Sequence, residues 1–409
     1  MNIHRAVSVT EESFLSRIMG SFFAAILGVV CFFGSFALLW WNEGNVIAEK
    51  GAYEEMGQQV VKINANKSSA KFNNKLVHGS AVLSSNQMLS DGEFLKPGKY
   101  LSLGRSVEMY QWVEHKETRK DKKVGGKTEK VTYYEYKLEW ATGQVDSSKF
   151  YDPVGHENPT NPYQSKTYHV KSSKFGSFDG QSVLERKKSS MKSLSLNQNM
   201  IRNGKNGKVQ AGALYIKNHS GVSNRLGDVR IKYRALKPGG TYSVMAKQLN
   251  PKKLGNWDTS NGKSKFLVEN GKVGPKKMVQ SAKDGASMMA NILRIIGFIM
   301  MFAGITMILS PFTTFLDVLP FLGNASRFLV SVMAFVVAGV LSTVTIVVGM
   351  VAHNPIALGV VVLASAGGIF YVVKLAKDKK AAAQAQSQGQ SQPQQPSQQQ
   401  PPPPQASNM

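Results

Sequence analysis

Residues 18–41 read IMGSFFAAILGVVCFFGSFALLWW, 24 residues without a single charge. At about 1.5 Å per residue such a helix exceeds the ~30 Å hydrocarbon core of a bilayer, with room for tilt. A cleaved signal peptide is the rival reading, but its apolar core is about 7–15 residues and ends in a small-residue cleavage site. This run is longer and closes on Trp40-Trp41-Asn42-Glu43. It is therefore read as a membrane span. Trp40 and Trp41 are its expected interfacial anchors, because an indole ring suits the half-wetted headgroup level.

Outward from that stretch, three more apolar runs sit in the last third of the chain. The first covers 288–310 and is interrupted early by Arg294, whose guanidinium can snorkel to the interface. The others cover 328–351 and 356–373. His353-Asn354-Pro355 separates the last two, and Pro355 fits the first turn of a new helix. The expected fold class is an α+β membrane protein with four transmembrane helices, one plus three. A large β-rich extramembrane domain, residues 42–287, is inserted between the first and second. Residues 1–17 are expected as a separate N-terminal segment. Residues 311–327, apolar with Pro311 and Pro320, are expected as an interfacial connector. Residues 374–409 are basic, then rich in Gln, Ser and Pro, a composition that cannot bury a core. Pro401–Pro404 favours polyproline II within that tail.

Flanking bases set the expected orientation. Arg5, Arg17, Arg327, Lys374, Lys377, Lys379 and Lys380 border the spans, and the positive-inside rule places them at the cytoplasmic face. Arg294, Arg327, Lys374 and Lys377 join the two Trp residues as expected anchors. Both termini are then cytoplasmic and residues 42–287 lie on the other side. In a bacterium that means the inner membrane with a periplasmic domain. In a eukaryote it means the endoplasmic reticulum or inner nuclear membrane.

The chain carries a net charge of +24. Residues 1–41 are neutral and residues 291–409 hold +4, so +20 resides on residues 42–290. Such a field attracts anions, among them phospholipid headgroups and acidic glycans. A Lys-rich solvated surface explains the same charge. Nucleic acid is not an expected partner of a domain facing away from the cytoplasm. Cys31 is the only cysteine and lies within the first span, so no disulfide staples the domain. At roughly 250 residues it is large enough to build its own core.

Signatures of catalysis are missing. His4, His78, His115, His156, His169, His219 and His353 show no short ligand spacing, so no metal site is expected. Gly126-Lys127-Thr128 ends like a phosphate-binding loop, but the required upstream Gly is Asp121. No cofactor is expected. Asn66-Lys-Ser and Asn218-His-Ser match the glycosylation acceptor, a pattern common by chance. No ionisable group sits centrally in any span, which argues against ion-coupled transport.

Strand periodicity is clear in two places. Tyr134, Tyr136, Leu138 and Trp140 alternate with charged residues, and Val107–Glu114 is the expected partner, with His115–Lys130 as a long polar hairpin tip. Val229, Ile231, Tyr233 and Ala235 alternate equally, and Lys237-Pro-Gly-Gly240 turns the chain into Tyr242, Val244 and Ala246. Weaker strands are expected at 75–83, 214–217 and 265–269, and mainly loops over 143–200. Small residues at i, i+4 spacing mark expected helix-packing faces: Gly20, Ala24 and Gly28; Ala334, Ala338 and Ser342; Ala364 and Gly368.

The order of these features resembles the transmembrane protein 43 (LUMA) family. The likeness rests on the first span closing in Asn42-Glu43-Gly44, on Arg105-Ser-Val-Glu-Met-Tyr-Gln-Trp112 with Tyr136-Lys-Leu-Glu-Trp140, and on Leu226-Gly-Asp-Val-Arg230. Leu319-Pro-Phe-Leu-Gly-Asn324 and the three C-terminal spans complete it. Asn45 stands where the family often has a basic residue. The resemblance implies a non-enzymatic organiser of membranes, of the endoplasmic reticulum and inner nuclear membrane in animals, and a bacterial member is expected here. It supplies no catalytic residues. The expected partners are the bilayer, other membrane proteins or further copies of the chain. The alternative functions are an anionic lipid or glycan binding module and an unrecognised envelope enzyme.

Overall fold

The computed structural model describes residues 4–123, 127–203, 207–217, 219, 221–318, 320–361, 363, 364, 367, 371, 373, 374 and 377. Residues 1–349 form one compact unit and residues 350–409 a second.

In the first unit, β1 (His4–Glu12) leads directly into α1 (Phe14–Gln59), a single helix of 46 residues. Ser13 caps it by accepting a hydrogen bond from the Ser16 amide at 3.2 Å. The β domain follows. Its principal strands are β2 (Leu76–Ser84), β3 (Ser102–Lys122), β4 (Thr128–Thr142), β5 (Val229–Leu236) and β6 (Thr241–Asn250). A short helix, α2 (Gln181–Lys187), lies between them. The chain then returns through α3 (Pro275–Ile308), α4 (Ser310–Phe315) and α5 (Pro320–Ala352).

Two large sheets and a two-stranded hairpin make up the domain among the described residues. The first runs β1-β4-β3-β5, extended by the strands Ala213–Ile216 and Lys208–Gln210. The second centres on antiparallel β2 and β6, joined in register from Thr241↔Val82 to Lys247↔Leu76. In β5, Val229, Ile231, Tyr233 and Ala235 are buried and pack with Leu103, Val107, Met109 and Leu214. The alternation thus faces one core. β6 differs: Tyr242 to Ala246 are all buried. Val244 and Ala246 join Leu83, Phe175 and Phe178 on one side, while Met245 meets Met56 and Met278 from α1 and α3 on the other. Helices and second sheet therefore share a core.

Three departures from the expected layout have physical causes. First, His4–Glu12 is not a segment apart: it pairs antiparallel with β4, from His4↔Tyr136 to Glu12↔Thr128. β1 is therefore part of the first sheet, against the expected separation of 1–17 from 42–287. Second, the tip expected over His115–Lys130 is mostly strand, with β3 and β4 paired out to Lys122↔Thr128. Its cross-strand contacts are polar, such as Thr118 Oγ1 to Thr132 Oγ1 at 3.1 Å and Lys123 to Glu129 at 2.6 Å. Third, helix continues past Trp41 to Gln59 and begins at Pro275, so both ends of the expected β-rich region are helical. The expected connector 311–327 is likewise helical for most of its length, as α4, a short 3₁₀ turn and the start of α5.

In the second unit a helix starts at Pro355 as expected, and Asn354 caps it, its Oδ1 accepting from the amides of Ile356 at 3.1 Å and Ala357 at 3.2 Å. The described residues of the expected span 356–373 are helical, while the tail beyond Lys377 lies outside the described residues.

Candidate functional site at the membrane bundle

α1 and α3 run antiparallel with their backbones in contact at one point. A Cβ on Gly28 would lie 2.8 Å from the Gly304 carbonyl oxygen, and one on Gly304 would lie 2.7 Å from the Phe32 nitrogen. Only glycine fits at both positions, and such close approach is a main source of helix association in lipid. Nearer the domain, Leu39 fills the space beside Gly297. α5 contributes Ala334, Ala338 and Ser342, all buried. Ala338 packs with Leu39 and Met301, and the Ser342 hydroxyl lies 3.4 Å from the Met301 sulfur. Gly20 stands apart from this pattern, for a Cβ there would meet nothing within 4 Å. It lines a cavity together with Ala24. Of the Gly20/Ala24/Gly28 stripe, Gly28 meets α3. Ala364 is exposed in the helix of the second unit, Lys374 and Lys377 are helical and exposed, and Gly368 lies outside the described residues.

Ion pairs close both ends of the apolar stretch. On the domain side the fully buried Glu43 receives Arg294 twice, from Nε to Oε1 at 2.8 Å and from Nη2 to Oε2 at 2.6 Å. Asn42 donates to the Ala290 carbonyl at 3.2 Å. α5 passes close by at Gly349, where a Cβ would lie 3.1 Å from the Glu43 Cβ. At the opposite end the fully buried Asp317 receives both Arg17 and Arg327. Ser310 donates to the Ser21 carbonyl at 3.0 Å there. A buried carboxylate is tenable because each is paired and hydrogen-bonded. Between these ends, three of the described helices are long and apolar enough to cross a membrane. Trp40 and Trp41 are exposed beside Glu43. Sequence reasoning found the bases but missed Glu43 and Asp317. The signal was available, since each lies one helix away from a base at the same end of a span.

Above Glu43, α1 and α3 continue as a stalk gripped by the hairpin of Trp257–Asp258 with Ser264–Lys265. Lys265 pairs with Glu49, and Lys263 reaches Glu49 at 3.4 Å and the Asn45 side-chain oxygen at 2.7 Å. Asn261 donates to the Ala48 carbonyl at 2.7 Å, and the Ser260 amide donates to Glu55 at 2.9 Å. Lys283 on α3 meets Glu54 at 2.6 Å. Burial opposes ionisation of Glu49, but Lys265, with Tyr53 and Lys263, outweighs it and holds the carboxyl below its ordinary range. Burial, then the Glu49 charge, pushes the Tyr53 phenol up to about 12.

The quoted sequence motifs meet where β3, β4 and β5 lie side by side. Buried Asp91 accepts from the amides of Glu93, Phe94 and Leu95, from Arg105 at 3.0 Å and from the Tyr233 hydroxyl at 2.5 Å. Burial works against its charge, and these donors still hold its carboxyl below the usual range. Glu108 pairs with Arg230 at 2.5 Å, whose guanidinium lies 4.5 Å from the Trp140 ring centre. Gln111, fully buried, bridges the Gly143 carbonyl at 2.8 Å and the Val145 amide at 3.0 Å. These motif residues fasten strands and loops. Among the described residues no group of three His, Cys, Asp or Glu is placed to hold a metal ion.

Apolar helices tied at both ends, carrying a two-sheet domain on a helical stalk, define an integral membrane protein. Comparison with known proteins narrows this: the family model Transmembrane protein 43 matches residues 109–355, and the chain belongs to that family. Transmembrane protein 43 of Homo sapiens is 26% identical over 358 residues, covering 85% of this chain and 88% of its own length. The Pongo abelii protein of that name is 26% identical over 361 residues, again 85% and 88%. The Drosophila melanogaster homolog is 24% identical over 287 residues, covering 69% of this chain and 75% of its own length. No solved structure matches.

Proposed function

We propose that this chain is a non-catalytic scaffold that organises components of its membrane by holding a basic β domain at a fixed position above a helical bundle. The observation that supports it is the continuity of α1 and α3. Met56 and Met278, near the domain ends of those helices, are fully or almost fully buried against Leu76 and Met245 of the second sheet. Leu39 and Met301, farther down the same helices, are fully buried in the bundle. Two uninterrupted rods therefore join the two cores. A scaffold needs that rigidity, because partners docking on the domain must meet it at a set height and rotation. The partners are other membrane proteins or further copies, in the membrane system to which the organism consigns the protein.

Chemical cross-linking of the full chain in native membranes, followed by affinity isolation, tests this reading. A reproducible set of membrane proteins, or a ladder of self-cross-links, is expected. Insertion of Gly-Ser-Gly-Ser after Gly51 should alter that set while leaving the protein in the membrane. Isolation of the chain free of any protein partner would overturn the scaffold reading.

A further inference from the structure

The space beside Gly20 is open, since a Cβ there would meet nothing within 4 Å. A cavity of about 590 Å³ opens there, between the start of α1 and the tip of the β3–β4 hairpin. Its cations come from three distant parts of the chain: Arg17, Lys120 and Arg327. Its floor is Gly20 and Ala24, where the absence of bulk leaves α1 uncovered. From the hairpin side Thr128 lines it, 5% exposed, with a hydroxyl that has no hydrogen-bond partner. A buried hydroxyl left unsatisfied costs on the order of 1–3 kcal/mol, which a ligand oxygen would relieve. Glu12 also lines the cavity, and its carboxylate is paired with Lys130 at 2.5 Å. Asp317 is shared between Arg17 and Arg327, so three cations stand against two carboxylates, Asp317 and the Lys130-paired Glu12.

We infer that this cavity binds a phosphate group, contacted by Lys120, Arg17, Arg327 and the Thr128 hydroxyl. Tetrahedral oxyanions suit such a set, because guanidinium, ammonium and hydroxyl all donate and several acceptor oxygens converge on one point. The position selects further. The cavity lies where α1 enters its apolar stretch, and the Gly20–Ala24 floor leads along that stretch. A phosphodiester headgroup can sit among the cations while an acyl chain follows the floor. The inference is independent of the scaffold reading, since it requires no protein partner.

The test uses the full chain in nanodiscs of phosphatidylcholine, with or without phosphatidylglycerol, and inorganic phosphate as the soluble probe. Retained lipid is counted by native mass spectrometry, and phosphate binding is read as a shift in melting temperature. The wild type should retain phosphatidylglycerol, and Lys120→Gln should weaken retention about tenfold, the worth of one hydrogen bond to a charged group. Thr128→Val, nearly equal in volume, and Gly20→Leu, which fills the floor from a position whose Cβ meets nothing within 4 Å, should each weaken it as well. Lys171→Gln, remote from the cavity, should not. Binding of inorganic phosphate with the same sensitivity, and no preference for phosphatidylglycerol, would assign the site to a soluble phosphate. Equal binding of both probes by wild type, Thr128→Val and Gly20→Leu would overturn the inference.

Discussion

Glu43 and Arg294 form a bidentate ion pair across α1 and α3, with both guanidinium contacts under 3 Å and the carboxylate fully buried. The planar fork of arginine matches the carboxylate, a geometry that lysine cannot reproduce. Arg294→Ala would leave Glu43 buried and uncompensated. The expected loss is about 3–5 kcal/mol, read as a lower melting temperature in detergent. Arg294→Lys should recover only part of it, and Glu43→Leu with Arg294→Leu more. An unchanged melting temperature for Arg294→Ala would show that the pair is solvated.

Gly28 and Gly20 lie two helical turns apart on α1 yet should behave in opposite ways. Gly28→Leu drives a side chain into the Gly304 backbone. Overpacking of this kind costs about 1–3 kcal/mol, so disulfide cross-linking of Leu39→Cys with Gly297→Cys should fall. A Cβ at Gly20 meets nothing within 4 Å, and Gly20→Leu should leave that cross-link intact. A fall in both would mean that the whole stripe packs on a helix.

Asp91 ties the loop before β3 to the sheet through Arg105 and Tyr233. Asp91→Ala removes the acceptor for five donors, while Arg105 keeps Glu93 at 2.6 Å and the Gln164 carbonyl at 3.0 Å. Each buried donor left unmet costs about 1–3 kcal/mol, so the domain should lose more than one such increment, measured by urea unfolding of the full chain. Tyr233→Phe removes one donor only and should cost about 1–3 kcal/mol.

The stalk should weaken in acid. The Glu49 carboxyl is held below its ordinary value, chiefly by Lys265 working against burial. A group depressed on folding contributes stability above its unfolded pKa of about 4.3, and the contribution is lost as pH falls through the folded value. The wild type and Lys265→Ala should therefore differ most near neutral pH and converge below about pH 4. Melting curves between pH 7 and pH 3 will show whether the gap closes; a constant gap would assign the effect of Lys265 to packing.

Removal of residues 1–12 uncovers the outer edge of β4. Amides of β4 that are bonded to β1 should then exchange with deuterium faster, while those of β5 and β6 stay protected. Unaltered exchange at β4 would argue against the β1 ladder.

Much of this fold was legible because apolar burial leaves a periodic trace. Val229, Ile231, Tyr233 and Ala235 alternate because one face of β5 meets a core, and residues 18–41 are uniformly apolar. What escaped has no such trace. β1 and the outer halves of β3 and β4 form a ribbon whose ladder is dressed with Thr, Lys and Glu, so no alternation announces it. The stalk beyond Trp41 was hidden because Asn42-Glu43-Gly44 reads as an exit from the membrane. In the structure Asn42 and Glu43 are buried between helices. The cavity beside Gly20 was invisible for a different reason: its walls come from residues near 17, 120 and 327, which only the folded chain brings together.

The unbroken course of α1 gives the molecule a lever. From Glu43 to Gln59 the helix rises about 24 Å above the bundle at ~1.5 Å per residue. Its apolar stretch is longer than a thin bilayer requires, and excess length is absorbed by tilt. A rod this stiff turns each 10° of added tilt into a sideways swing of about 4 Å at the base of the second sheet. Bilayer thickness is thereby converted into the lateral position of a protein surface, with no hinge between the two to absorb the motion.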